Sequence, residues 1–159
     1  MANEHAGYEI AFPTGPYLVA ALICERVLEE KDGTKSAIRI VDRLTRTTTG
    51  PNPPKEMMAF EYEFSMLVRF KAGDARGPMT LQIEPVKPSS ETLRSMIGTV
   101  HFEGEEDRGV DVVVNFKVKV EQAGVYWFNV YLDNIRMTRV PLRVVYTRQV
   151  TPPEPQSGG

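Results

Sequence analysis

The chain has 159 residues, of which 42% are hydrophobic and 25% charged, a composition that suits one globular domain and argues against wholesale disorder. Its 19 Lys and Arg against 21 Asp and Glu give a net charge of −2, which leaves no electrostatic footprint for gripping nucleic acid over a broad surface. A single cysteine, Cys24, excludes an internal disulfide framework and any Cys-rich zinc module.

That lone thiol predicts a reducing, cytoplasmic setting. The start, Met1-Ala2-Asn3-Glu4-His5, lacks the basic and apolar regions of a secretory signal. No apolar run approaches the roughly 18–20 residues of a bilayer span, so no membrane partner is expected.

In chain order, residues 1–7 are small and polar and read as a disordered N-terminus, ahead of one domain over residues 8–148. Tyr17 to Glu30 is ambiguous, because Leu18, Val19, Leu22, Ile23 and Val27 fit a helical face about as well as a strand. Lys31-Asp32-Gly33 lies between two apolar runs, which is hairpin grammar and favours the strand. Ser36 to Thr45 reads as one strand with Ile38, Ile40 and Leu44 at alternate positions.

The clearest alternation is Phe60, Tyr62, Phe64, Met66, Val68 and Phe70, one dry face opposite a wet one. Met79 to Pro85 and Met96 to Phe102 read as shorter strands, and Val110 to Val120 repeats the long dry-and-wet pattern. Val125 to Leu132 and Ile135 to Tyr146 flank Asp133-Asn134, a two-residue turn. Residues 149–159 carry three prolines and end in Gly158-Gly159, the composition of a flexible tail.

Seven to nine short strands separated by turns predict an all-β, two-sheet antiparallel sandwich. Its inward positions are expected to include Ile38, Ile40, Phe60, Phe64, Val68, Val112, Phe116, Tyr126, Phe128, Leu142 and Val144.

Catalytic chemistry finds few carriers. The two histidines are His5, in the N-terminal segment, and His101, on a short strand, and Cys24 lies in an apolar run that suits a buried structural thiol. No nucleophile elbow or phosphate-binding loop occurs, so no enzyme and no cofactor are expected. The acidic stretch Glu103 to Asp111 has neither the spacing of a calcium loop nor a second acidic loop beside it, and reads as a solvated turn with no metal. Arg136, Arg139, Arg143 and Arg148, with Arg39, Arg43 and Arg46, read as solvated strand faces because no stacking motif for RNA accompanies them.

More informative is Val125 to Leu132. Tyr126, Phe128, Val130 and Leu132 share one face and Val125, Trp127 and Tyr131 the other. A strand apolar on both sides is covered on both sides or presents a sticky face, and Trp and Tyr are rich in interface hot spots.

Gly124-Val125-Tyr126 resembles the tyrosine corner of immunoglobulin-like domains, with Phe128 where antibody domains carry a cysteine. Lys31-Asp32-Gly33, Ala37 to Arg43, Gly124 to Phe128 and Val140 to Val144 are similar to an uncharacterised bacterial family of small immunoglobulin-like sandwich proteins. The resemblance spans about residues 17–147, implies an immunoglobulin-like fold and offers no catalytic residue. In that order the strands Phe60–Lys71 and Ile135–Tyr146 flank Val125–Leu132, which would gather Leu67, Trp127, Tyr131 and Val145 on one face with Arg69 and Arg143 as its rim.

The expected function is a non-enzymatic cytoplasmic protein-interaction module that takes a protein partner, or a second copy of itself, on that face. The alternative is a ubiquitin-like modifier activated at Gly158-Gly159, whose glycines could thread an adenylation channel. Against it, the sequence lacks the amphipathic helix of a β-grasp body.

Overall fold

The computed structural model describes residues 11–155 and Gly158. The disordered start expected at residues 1–7, His5 within it, and Gly159 lie outside the described residues. Nine strands form two sheets with no helix among the described residues. They are β1 (Tyr17–Glu29), β2 (Lys35–Ile40), β3 (Arg43–Gly50), β4 (Phe60–Lys71), β5 (Arg76–Val86), β6 (Met96–Glu103), β7 (Gly109–Val120), β8 (Gly124–Leu132) and β9 (Ile135–Val150). One sheet has the order β2-β1-β4-β7 and the other β3-β9-β8-β5-β6.

The two sheets close over one core. Phe64, Met66, Val68 and Phe70 of β4 are at most 3% exposed and meet Tyr126, Phe128, Val130 and Leu132 of β8, at most 2% exposed. Aromatic rings knit the layers: Phe64 and Phe116 meet Phe128 edge-on at 5.3 and 5.7 Å between centroids, and Phe70 meets Phe102 at 6.0 Å.

The helix-or-strand ambiguity at Tyr17–Glu30 resolves as strand. β1 bonds to β4 through Ile23↔Met66 and to β2 through Val27↔Ala37, so its apolar residues are shared between two faces. The turn to β2 closes through the Gly33 amide on the Glu30 carbonyl at 2.9 Å, with Gly33 at φ 86°.

Three expectations are corrected. Ser36–Thr45 is not one strand but two, on different sheets, because the chain crosses between layers at Val41-Asp42. The Val41 amide bonds to Ile23 in one sheet and the Arg143 amide to Asp42 in the other, and Arg39 just before the crossing has φ 55°. β3 therefore runs parallel to β9, from Arg43↔Arg143 to Gly50↔Val150, so the sandwich is mostly but not wholly antiparallel.

Ile38 and Ile40 stand outside the core. Ile40 is 60% exposed and pairs with Cys24, which opposes Ser65 on the side of the sheet turned away from Phe64 and Met66. The crossing reverses the side that alternation from Leu44 would have assigned them. Lastly, β9 runs past the expected domain end at 148: Gln149 and Val150 pair with Thr49 and Gly50, and the Thr151 amide extends the ladder to Gly50.

Candidate functional site

β8 sits between β9 and β5, and β4 belongs to the other sheet. The expected cluster therefore divides. Trp127, Tyr131 and Val145 lie on the outer face of the five-stranded sheet, whereas Leu67 lies on the outer side of the four-stranded one, between Leu22 and Val113. Leu67 is only 8% exposed, and the expected rim residue Arg69 is tied to Asp111 by hydrogen bonds of 2.6 and 2.8 Å. In a two-layer fold the strand before a layer-crossing connection cannot also be a sheet neighbour of β8, and the β5 strand takes that place.

The outer face has aligned rows fixed by register. Trp127 lies between Val86 of β5 and Pro141 of β9; Asn129 between Glu84 and Arg139; Tyr131 between Gln82 and Arg136. Val145 lies four residues beyond Pro141, about 13 Å along β9, opposite Thr45 rather than beside Trp127. Val125 and Arg143 pair, and Arg43 of β3 extends that row.

A bulge sets this arrangement. From the Asp133-Asn134 turn the ladder pairs Leu132 with Ile135 and Tyr131 with Arg136, then shifts so that Val130 meets Thr138. The extra residue, Met137, changes the phase of β9. Without it Trp127 would face Val140, and Arg139 and Pro141 would point into the core. With it Leu142 and Val144 are each 2% exposed and Arg139 stands beside Trp127.

The Arg139 guanidinium carbon lies 3.8 Å from the centroid of the Trp127 ring, a cation–π stack that leaves the aromatic half-buried under a charged, exposed side chain. Arg43, Arg136, Arg139 and Arg143 are all exposed, and none forms an ion pair with a carboxylate among the described residues. Beside Arg139 and Trp127, Glu84 accepts a hydrogen bond from Asn129 Nδ2 at 3.2 Å. Asn129 is 8% exposed and its Oδ1 has no partner, so a buried acceptor stands unanswered between Trp127 and Tyr131.

Sequence reasoning missed Arg139, Asn129 and Glu84. The arginine run was visible, but the phase that aims it at Trp127 depends on the bulge. Asn129 alternates with Trp127 and Tyr131 and could have been placed on this face from spacing alone.

The remaining candidates occupy other places. His101 lies on β6 beside a hollow of about 190 Å³ lined also by Ala72, Glu103, Arg108, Gly109 and Val110, with no hydroxyl or thiol to act as nucleophile. Arg108 pairs with Glu103 and Glu105, which ties two of the acidic loop's carboxylates to a cation of the same loop. Cys24 is fully buried with Sγ 3.6 Å from the Ser65 carbonyl, and burial pushes its thiol up, away from the reactive thiolate. Gly158 is exposed; its partner in the expected conjugation site, Gly159, lies outside the described residues. No helix among the described residues is long and apolar enough to cross a membrane.

The chain matches none of the curated proteins. Residues 19–145 match a family model, a span that runs from β1 to β9 and takes in both sheets and the whole Trp127 face except for its outermost strand ends. The chain therefore belongs to the family of unknown function DUF6941.

Proposed function

We propose that this protein is a non-enzymatic interaction module that captures an acidic protein partner on the outer face of its five-stranded sheet. The observation that carries the reading is the Trp127 ring under the Arg139 guanidinium, flanked by arginines without carboxylate partners among the described residues. An aromatic anchor within a charged rim is the common anatomy of a protein contact.

Charge separates a foreign partner from a second copy on this face. Stacking two such faces would bring four exposed arginines of each chain together, which costs affinity. The immunoglobulin-like reading of the sandwich is supported by the Tyr126 hydroxyl, which donates to the Gln122 carbonyl at 2.9 Å as a tyrosine corner does. A bacterial, cytoplasmic setting rests on the family resemblance and on the single buried thiol.

Titration calorimetry against Asp/Glu-rich peptides containing one aromatic residue, with Lys-rich peptides as controls, tests the proposal. Binding should weaken with salt, and Trp127→Ala should lose roughly thirtyfold in affinity, the equivalent of about 2 kcal/mol. Its melting temperature should stay close to that of the parent. Equal binding of acidic and basic peptides, or a variant that loses stability while binding unchanged, overturns the reading.

A further inference from the structure

We infer that a second copy of this chain docks edge to edge on β7, joining the two four-stranded sheets antiparallel about Val113. This contact is separate from the Trp127 face and does not depend on it.

Among the described residues four sheet edges are free, and they are unequal. β2 has six residues and is interrupted by Arg39 at φ 55°; β3 is threonine-rich with Arg43 and Arg46; β6 is eight residues long and contains Gly98. Short length, charge, bulges and breakers are the usual means of blunting an edge. β7 has none of the structural ones. It runs twelve residues, pairs with β4 without a register shift, and holds six valines and Phe116 with no proline. Among the described residues, no turn or loop hydrogen-bonds to its free edge between Val110 and Val120.

Beside that edge the core is incompletely covered. Val110, Val112, Val114 and Phe116 face inward opposite β4, yet each remains half-buried, while the corresponding β4 residues Val68 and Phe70 are 0% exposed. Two adjoining hollows of about 370 and 390 Å³ run along the strand, both lined by Arg94, Phe116 and Lys117. An added strand would place its own inward side chains against these hollows.

The occupant follows from how charge lies along the strand. Asp111 lies near its start, Lys117 and Lys119 toward its end. A two-fold axis at Val113 sets Gly109 against Lys117 of the second copy and Asp111 against Asn115. Within the strand no like charges oppose one another, and Asp111 lies diagonal to Lys117. On the inner side Val110 meets Phe116 and Val112 meets Val114. On the outer side the row Leu22–Leu67–Val113 continues into its own copy, covering Val113, which is 38% exposed in the single chain.

Sedimentation equilibrium over a concentration series should show a monomer–dimer equilibrium for the wild-type chain. The double variant Lys117→Glu/Lys119→Glu, at positions 58% and 67% exposed, should dissociate at least tenfold more readily while keeping a cooperative melt. Val113→Cys should form a covalent dimer under mild oxidation, because directly opposed residues bring their Cα atoms within disulfide range. Asn115→Cys, offset from its own copy, should not, and the buried Cys24 does not compete. A wild-type chain that stays monomeric up to about 1 mM, or a dimer indifferent to the lysine changes and not captured by Val113→Cys, overturns the inference.

Discussion

Asp111 and Arg69 face each other across β7 and β4, two bonds of 2.6 and 2.8 Å making a bidentate pair. The Arg69 hydrogen bond holds the Asp111 carboxyl below the usual carboxylate range, outweighing the opposing effect of its burial. A depressed carboxylate contributes stability that is present above its unfolded value, near pH 4, and is lost as pH falls through the folded one. The Arg69 side chain is 42% exposed, so solvent screens the pair. Asp111→Asn is expected to cost about 1 kcal/mol at neutral pH. It should also flatten the acid side of a melting-temperature profile below about pH 4; an unchanged profile refutes the assignment.

At the scale of an element, the β8–β9 hairpin is held at its turn and adjusted beyond it. Asp133 and Asn134 both adopt positive φ, 45° and 63°, the geometry of a two-residue hairpin turn. Asp133 also bonds the hairpin to β5: its carboxylate accepts the Thr80 amide at 2.8 Å and its own amide donates to the Thr80 carbonyl at 2.9 Å. Asp133→Ala keeps the amide bond but loses the carboxylate and places alanine at positive φ, a loss of about 2 kcal/mol by urea denaturation. Asn134→Gly, which suits that backbone better, should be neutral or slightly stabilising. The turn could be read from two residues. The bulge at Met137 could not, because it answers to a distant demand that Leu142 and Val144 reach the core.

For the whole molecule, Phe128 joins the layers. It is 1% exposed and its ring meets both Phe64 and Phe116 of the opposing sheet. Phe128→Ala opens a cavity at the sheet–sheet seam and is expected to destabilise by about 3–5 kcal/mol, read from the denaturation midpoint. Trp127, one residue away on the outer face, should show the opposite balance, with partner binding lost and stability kept. The contrast between neighbours on one strand measures which face is core and which is surface.

Strands, turns and the inward rows of β4, β7 and β8 were legible because alternation and hairpin turns are local: side-chain direction follows from a period of two, and turn geometry from the residues that tolerate it. The division of Tyr126 and Phe128 from Trp127 and Tyr131 came from the same rule. Sheet membership was not local. Placing β4 beside β8 moved Leu67 and Arg69 to a face they do not share, and only the packed layers show that β5 holds that position. The crossing at Val41-Asp42 left Ile38 and Ile40 outside the core, and the bulge at Met137 set Arg139 over Trp127. Alternation states that a residue faces away from its neighbour in the chain. Which strand lies alongside, and hence which side chains share a surface, is decided by closing two sheets over one core.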